Sequence, residues 1–188
     1  MAVTAPRREQ LLEAAASLFA ARGYHDVGID DIGAAAGISG PGVYRHFPSK
    51  QALLESLCDR AMTRMLDGAR QSRASHGEDA GAALEALVDL HVDFAVTHRP
   101  LLGVWAREQR ALSDDVRRSL RRRQRDYERV WREATAALRA DLDEAEVAVV
   151  VVAVLALLNA TALADVAVPA ERLAPLLRRT ALAALHSG

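Results

Sequence analysis

The sequence is short of several residue types, and each shortage excludes a class of protein. One cysteine, Cys58, excludes an internal disulfide, fits a reducing compartment and is expected to be a buried apolar residue. Aromatic residues make up only 4% of the 188 residues while alanine and leucine are abundant, which favours helices over sheets. The net charge of −1 argues against a protein that compacts DNA non-specifically. Lysine occurs only at Lys50, against 23 arginines.

Patterns that carry catalysis or bind a metal are also missing. The six histidines have no metal-ligand spacing with the cysteine or with acidic residues, so we expect no metal site. Because there is no glycine-rich phosphate loop and no nucleophile elbow, we expect no enzyme, no catalytic residue and no cofactor. The segment Met1 to Ala5 lacks the apolar core of a signal peptide, which favours a cytoplasmic protein.

Apolar residues recur at helical spacing along the chain, and no strand pattern or internal repeat is present. The pattern predicts an all-α protein of about nine helices, at about residues 6–22, 29–36, 40–46, 50–73, 82–97, 100–111, 113–140, 143–166 and from Pro169 onward. Asp143 and Glu146 have the spacing of a capping box at the start of the eighth helix. Pro175 lies too deep for a regular first turn, so we expect a kink or a short turn there.

The stretch from Ile29 to Lys50 predicts two short helices joined by a tight turn. Gly37 ends the first helix, because glycine adopts the left-handed conformation at little cost. Ser39 is a suitable N-cap for the second helix, and Pro41 fits its first turn. This is a helix-turn-helix, whose second helix enters the major groove in proteins that bind DNA. The second helix carries hydrogen-bond donors and no acid, which suits that role.

The same stretch and the helix before it carry residues at fixed spacing: Arg8, Leu11, Leu12, Ala15, Ala16, Leu18, Phe19, Gly23, Tyr24, Ile29, Ile32, Ala36, Gly37, Ile38, Ser39, Val43, Tyr44, His46, Phe47, Ser49, Lys50, Leu53 and Leu54. Together they resemble the DNA-binding domain of the TetR family of repressors. The resemblance implies a helix-turn-helix DNA-binding domain at residues 1–50 and a helical effector-binding and dimerisation domain at residues 51–188. It also implies a dimer that binds a palindromic operator in double-stranded DNA and is released by a small-molecule effector.

Position by position, the resemblance implies these DNA-binding residues: Ser39, Gly40, Pro41, Tyr44, Arg45, His46 and Lys50. Tyr44, His46 and Lys50 are then expected to contact phosphates. Ser39, Pro41 and Arg45 are expected nearest the bases, and arginine can donate to guanine O6 and N7 together. Arg7 and Arg8 either enter the adjacent minor groove or stay in solvent.

The chain departs from the family pattern at several glycines. Val27 and Gly28 stand where the family usually has hydroxyl-bearing residues. Gly33 replaces the usual alanine, at a cost of about 1 kcal/mol in helix propensity. Gly40 and Gly42 leave the second helix with few side chains that could contact bases. Two alternatives therefore stay open beside the repressor: a non-specific DNA-binding protein, and a degenerate family member that acts through a protein partner.

Residues 147–164 carry no charge over 18 positions, which meets the lower limit for a membrane span. Acidic residues flank this segment, and Asn159 and Thr161 interrupt it, so we expect a helix buried within the protein and against a second copy rather than in a membrane. The resemblance implies a homodimer interface of the last two helices. We expect it over residues 147–164 and about 176–186.

Two opposite charges fall on helix faces that are otherwise apolar. At 100° per residue, Arg123 lies in one stripe with Tyr127 and Trp131, whereas the other five arginines between residues 117 and 125 are expected in solvent. Glu108 shares a face with Trp105. One hypothesis is a structural ion pair between Glu108 and Arg123. The other is an effector pocket lined by His91, Phe94, Trp105, Glu108, Arg123, Tyr127 and Trp131.

Overall fold

The computed structural model describes residues 6–164 and 167–187. Its α-helices are α1 (Arg7–Arg22), α2 (Ile29–Ala35), α3 (Gly40–Tyr44), α4 (Lys50–His76), α5 (Ala80–Thr97), α6 (Arg99–Arg107), α7 (Asp114–Leu138), α8 (Glu144–Leu163) and α9 (Ala170–His186). A 3-10 turn, Gln109–Ala111, takes the place of the end expected for the sixth helix. The all-α prediction is confirmed, with nine α-helices and no strand in the described part of the chain. The expected end of the eighth helix, Val166, lies outside the described residues.

The helices form two compact units. The first comprises residues 1–61 and 100–120, and the second comprises residues 62–99 and 121–188. α4 and α7 therefore each contribute residues to both units. The sequence pattern did not indicate that residues 100–120 belong with the first unit. The division into domains at residue 50 stays a prediction.

The core of the first unit comes from the apolar stripes of its helices. The buried residues of α1 to α4 include Leu11, Leu12, Ala15, Phe19, Ile32, Val43, Leu53, Leu54 and Leu57, and Phe47, between α3 and α4, is buried with them. Tyr24, in the loop after α1, packs its ring edge against Phe19 at 5.1 Å between ring centres. Cys58 is buried as expected, and burial raises the pKa of its thiol to about 12, so it behaves as a small apolar residue.

The turn between α2 and α3 follows the sequence prediction closely. Gly37 has a φ of +70°, in the left-handed region where a side chain would be strained. The amide of Ile38 donates to the carbonyl of Gly33 at 2.9 Å, which closes the end of α2. Ser39 occupies the N-cap position of α3 with an extended backbone, although its hydroxyl makes no capping bond. The local signals therefore place both helices of the hairpin correctly.

Gly33 permits the backbone of the following turn to lie close against α2, which its helix propensity did not indicate. A Cβ atom at this position would lie 2.8 Å from the carbonyl oxygen of Ile38 and 3.2 Å from the amide nitrogen of Gly40. Both neighbours are backbone atoms, so an alanine would require the turn to move away from α2. Glycine at this position lowers the helix propensity of α2, but it lets the turn pack closely against the helix.

Local signals also set the two last helices. The side chain of Asp143 accepts from the amide of Glu146 at 2.9 Å, and Glu146 accepts from the amide of Asp143 at 2.8 Å, which confirms the capping box. α9 is continuous from Ala170 through Pro175, so no separate short turn precedes the main helix, and the kink, the other expected form, stays a prediction. The proline leaves only the carbonyl of Glu171 without its helical partner, and Glu171 is exposed, where water can replace that bond.

α8 is the one described helix whose length and composition would allow it to cross a membrane, over Glu144–Thr161. Within this chain only 28% of that segment is buried. Its covered side packs on α5 and α9 in the second unit. Val149 and Val152 lie on the other side, where they are 69% and 54% exposed. A helix that is apolar on all sides needs a further apolar surface over that side.

Candidate nucleic-acid interface and buried polar cluster

α3 has a buried side and an exposed side, and the exposed side carries the expected DNA-binding groups. Val43 and the two glycines of α3 are buried, whereas Ser39, Pro41, Tyr44, Arg45 and His46 are exposed. Tyr44 is 55% exposed, unusually open for a large ring. The side chains available to a nucleic acid on α3 are therefore a phenol, a guanidinium and an imidazole, with a hydroxyl at its start.

The glycines of α3 make room for neighbouring side chains. The carboxylate of Asp30 fills the space beside Gly40, since a Cβ there would lie 1.8 Å from its Oδ1 atom. The guanidinium of Arg45 lies back over Gly42, with Nη2 3.5 Å from where a Cβ would stand. Gly42 thus leaves space beside the helix for the side chain of Arg45, the residue that directly follows α3.

The N-terminal arginines are bound to the first unit although both are exposed. Arg7 donates through Nη1 to the carbonyl of Ala36 at 2.9 Å, at the C-terminal end of α2. The guanidinium of Arg8 lies 4.6 Å from the ring centre of Phe47 and donates to Ser56. Neither side chain is free in solvent in this structure, and a minor-groove contact stays a prediction.

Lys50 differs from the other expected DNA contacts because it is half-buried and its ammonium binds backbone carbonyls. Nζ lies 2.9 Å from the carbonyl oxygens of both Tyr24 and Val27, and 3.4 Å from that of His25. The ammonium also lies 4.5 Å from the ring centre of Tyr24. Sequence reasoning did not foresee these partners.

The second unit buries a connected set of polar side chains from α5, α7 and α8. Nδ1 of His91 lies 2.8 Å from the hydroxyl of Tyr127, and Nε2 lies 3.1 Å from Oδ1 of Asn159. The ring of Trp131 meets that of His91 edge-on at 6.1 Å between centres. The structure therefore brings together three of the expected pocket residues, His91, Tyr127 and Trp131, and adds Asn159.

The hydrogen-bond acceptors in this cluster determine which ring nitrogen of His91 carries the proton. Oδ1 of Asn159 can only accept, so Nε2 of His91 carries the proton and Nδ1 accepts from the Tyr127 hydroxyl. Burial lowers the pKa of His91 to about 4 and raises the pKa of Tyr127 above its usual value. The cluster is therefore uncharged at neutral pH. Oγ1 of Thr135, which is buried, has no hydrogen-bond partner among the described residues, whereas the indole of Trp131 faces the Tyr127 hydroxyl and opposes the rise in its pKa.

The other four expected pocket residues lie outside this cluster. Phe94 is buried in the second unit and stacks on His98 at 4.8 Å. Arg123 is half-buried and donates to the hydroxyl of Thr63 at 2.7 Å. Trp105 and Glu108 belong to the first unit, where Glu108 lies 3.9 Å from Nε2 of His25. The ion pair and the seven-residue pocket both stay predictions.

Two features of the sequence could have identified what was missed. Asn159 is the one amide in a long uncharged run, and a polar group in such a helix needs a partner. The single lysine of an arginine-rich chain marked a position with a special requirement. Four arginines of the run after Asp115 are exposed, as expected: Arg118, Arg121, Arg122 and Arg125.

A short hairpin of α2 and α3, with donors on the open side of α3 and a second all-helical unit, defines a helix-turn-helix DNA-binding regulator. Residues 11–57 match the family model for bacterial regulatory proteins of the tetR family, and residues 77–163 match the C-terminal domain of tetracyclin repressor-like proteins. The chain belongs to the TetR family of transcriptional regulators. The family consists of non-enzymatic DNA-binding proteins, in agreement with the sequence interpretation.

Curated relatives match parts of the chain. The transcriptional activator FasR of Mycolicibacterium smegmatis is 40% identical over 88 residues, which are 47% of this chain and 40% of FasR. The transcriptional repressor KstR2 of Rhodococcus jostii is 40% identical over 82 residues, 44% of this chain and 40% of KstR2. The chain thus aligns with about two fifths of the length of each.

Solved structures share the fold over nearly the whole chain. The ketosteroid regulator KstR2 of Mycobacterium tuberculosis has a TM-score of 0.81 at 22% identity, covering 97% of this chain and 94% of that one. The regulator AibR, crystallised with isovaleryl coenzyme A and operator DNA, has a TM-score of 0.74 at 21% identity, covering 93% and 97%.

The buried state of His91 predicts a measurable pH dependence of stability. The pKa of His91 is about 4 in the folded protein, compared with 6.5 for an ordinary histidine. Between these two pH values His91 is therefore protonated in the unfolded chain and neutral in the folded protein. The free energy of unfolding should therefore fall by about 2 kcal/mol between pH 7.5 and pH 5 through this residue alone. Urea denaturation of the wild type and of His91→Gln at both pH values measures the difference.

The exposed His46 provides the control for this measurement, since His46→Gln should lose the same stability as the wild type between the two pH values. An equal loss in His91→Gln and the wild type would contradict the buried, neutral state of His91.

Proposed function

We propose that this DNA-binding regulator is a cytoplasmic repressor, that it binds a palindromic operator as a homodimer, and that a small-molecule effector releases it. The observation that supports DNA recognition most directly is the exposed side of α3, with Tyr44, Arg45 and His46 open to solvent while Val43 and the glycines pack inward. A guanidinium on this side can donate to a guanine edge in the major groove. The phenol of Tyr44 and the imidazole of His46 can donate to phosphates, and the hydroxyl of Ser39 is proposed to lie nearest the bases.

The dimer is proposed on the apolar surface that α8 and α9 leave uncovered. Val149, Val152 and Leu176 are 69%, 54% and 46% exposed, and Ala153 and Ala156 of α8 are exposed as well. A contiguous apolar surface of this kind marks an interaction site in a soluble protein. A second copy of the same surface is the matching partner, because two-fold symmetry pairs a patch with itself. Two recognition helices then face two half-sites of a palindrome.

The effector site is proposed around the buried polar cluster. His91, Tyr127 and Trp131 combine a large apolar surface with convergent polar groups, which suits a ligand with an apolar body and a hydrogen-bonding group. Phe94 and Arg123, which also belong to the second unit, complete the proposed site, whereas Trp105 and Glu108, expected there from the sequence, belong to the first unit. Release follows if the ligand binds better to a conformation in which the recognition helices no longer match the operator.

The curated relatives include both an activator, FasR, and a repressor, KstR2. We favour repression because a regulator released by its effector acts most simply by blocking transcription. A non-specific DNA-binding protein would bind a random duplex as well as a selected one. A member that acts through a protein partner would bind neither, so one binding experiment with both duplexes separates these alternatives.

The proposed role of Arg45 predicts a change in sequence preference. An operator selected from a random duplex library should bind the wild type far more tightly than a scrambled duplex. Arg45→Ala should lose about 1–3 kcal/mol at particular base pairs, because a bidentate contact to guanine is lost there. Tyr44→Phe, which removes a proposed phosphate contact, should weaken binding to all sequences alike. Fluorescence anisotropy with single-base operator variants measures both, and equal losses at every base pair in Arg45→Ala would exclude its contact with bases.

The proposed interface predicts that a charge at its centre separates the subunits. Ala153→Arg and Ala156→Arg should each give monomers by multi-angle light scattering, because a buried, unpaired guanidinium costs several kcal/mol. Both alanines are exposed in the single chain. Ala136→Arg, at an exposed position of α7, should remain dimeric as a control. If Ala153→Arg and Ala156→Arg both stay dimeric, the interface lies elsewhere.

The proposed effector site predicts a variant that binds DNA but does not respond. Acyl-coenzyme A thioesters and their free acids are the first probes, because AibR, which shares the fold, was crystallised with isovaleryl coenzyme A. With a probe that releases the wild type from the operator, Arg123→Met should stay folded, bind normally and fail to release. Arg125→Met, exposed on the same helix, should release as the wild type does. Unfolding or normal release in Arg123→Met would exclude an effector contact.

A further inference from the structure

The helix-turn-helix carries one acidic side chain that has no partner among the described residues. Between Gly28 and Lys50 the only acids are Asp30 and Asp31, both in the first turn of α2. Asp31 accepts from the amide of Gly28 at 2.8 Å and from Arg22 at 3.3 Å, so the start of α2 occupies its carboxylate. Asp30 is exposed and makes no hydrogen bond or ion pair within the part of the chain that the structure describes. Its carboxylate is therefore available to a group outside the chain.

The carboxylate of Asp30 lies beside the first residue of the recognition helix α3. A Cβ atom at Gly40 would lie 1.8 Å from Oδ1 and 3.0 Å from Cγ of Asp30, so a larger residue would displace the carboxylate from this place. Ser39 and Pro41, the neighbours of Gly40 in the sequence, are exposed. The start of α3 therefore presents a carboxylate that comes from α2, at a position where α3 itself has no side chain.

A carboxylate at the start of α3 restricts the DNA that α3 can approach. The phosphates repel it, and so do the acceptor atoms of the major groove, which are guanine O6 and N7, adenine N7 and thymine O4. The amino group at N4 of cytosine is a donor, and it is the usual major-groove partner of an acidic side chain. An acid on this surface therefore lowers the affinity for DNA in general, and it lowers it least where a cytosine amino group meets the carboxylate.

We propose that Asp30 determines operator specificity by accepting a hydrogen bond from the N4 amino group of a cytosine, in the space that Gly40 leaves open. The inference rests on the proposed recognition of an operator by α3, and it adds an acceptor to the donors of that helix. Arg45 selects a base pair by attraction to guanine, whereas Asp30 selects mainly by repelling base pairs that present an acceptor. Arg45 follows the last residue of α3 and Asp30 lies beside the first, so the two contact different base pairs.

Single-base variants of the selected operator test this preference by fluorescence anisotropy. When each cytosine is replaced by thymine in turn, one replacement in each half-site should weaken wild-type binding about tenfold, because thymine presents an acceptor in place of the amino group. Asp30→Asn should bind both operators equally, since an amide can donate to thymine and accept from cytosine. Asp30→Ala should also lose the preference. Glu13→Gln, which removes an exposed carboxylate from α1, should keep the wild-type preference as a control.

A modified base tests the contact with the amino group itself. An operator with 2-pyrimidinone in place of the selected cytosine lacks the N4 amino group. The wild type should bind this operator about tenfold more weakly than the unmodified one, whereas Asp30→Ala should bind the two alike. Both proteins meet the same modified duplex, so its weaker base pair affects the two measurements equally.

A methyl group at position 40 tests where the carboxylate lies. The clash in Gly40→Ala falls on the end of the Asp30 side chain and not on backbone atoms, so the variant should fold and displace the carboxylate. Gly40→Ala should then lose the cytosine preference as Asp30→Ala does. The double variant should show no further loss, because both changes remove the same contact.

A cytosine preference in Asp30→Asn and Asp30→Ala equal to that of the wild type would overturn the inference, since the carboxylate would then act only on the dipole of α2 or as a general repulsion. A preference retained in Gly40→Ala would overturn it even if the Asp30 variants failed to fold. A wild type that binds a scrambled duplex as tightly as the selected operator would remove the proposed operator recognition, and the inference with it. A selective wild type that needs no cytosine overturns the role of Asp30 alone, so the two failures are distinguishable.

Discussion

The constraint on which this structure depends is the supply of partners for backbone carbonyls at the ends of its helices. Each helix leaves its last carbonyls without intrahelical donors, and a cation there also complements the helix dipole. The chain meets the need with arginines: Arg7 at α2, Arg73 after α4, Arg99 at α8 and Arg139 at α9. A protein with a net charge of −1 therefore uses many of its arginines on its own backbone rather than on a polyanion.

Because many arginines bind backbone carbonyls, the exposed side of α3, proposed to bind DNA, carries few charges. Of the basic side chains in the helix-turn-helix, Lys50 binds the loop before α2, and Arg45 alone lies on the open side of α3. Gly40 and Gly42 carry no side chain and Pro41 no backbone donor. The proposed recognition through this face would combine one bidentate donor, Arg45, with the fit of a small, closely packed hairpin to DNA shape.

The sequence predicted what local signals control and missed what distant residues control. Gly37, Ser39 and the capping box at Asp143 placed helix ends correctly, because the deciding atoms lie within a few residues. The partners of Lys50 are 23 to 26 residues away, and Asn159 is 68 residues from His91. Helical periodicity gives the direction of a side chain but not what stands opposite it. The sequence pointed to these two residues only through their rarity, because Lys50 is the single lysine of the chain and Asn159 is the single amide in an apolar run.

The hydrogen bonds of the buried cluster in the second unit all run in one direction along a chain of three side chains. Tyr127 donates to His91, and His91 donates to Asn159, so the proton arrangement runs from α7 through α5 to α8. A neutral imidazole can serve both neighbours only in this arrangement, because each of its nitrogens has a single role. A ligand group that accepts the hydrogen bond of the Tyr127 hydroxyl would leave Nδ1 of His91 without a donor, which costs free energy because that nitrogen is buried. The least costly response is a new orientation of the imidazole or of Asn159, whose helix carries the exposed valines. Because Asn159 lies on α8, these hydrogen bonds connect α7 and α5 with the helix that carries the exposed valines.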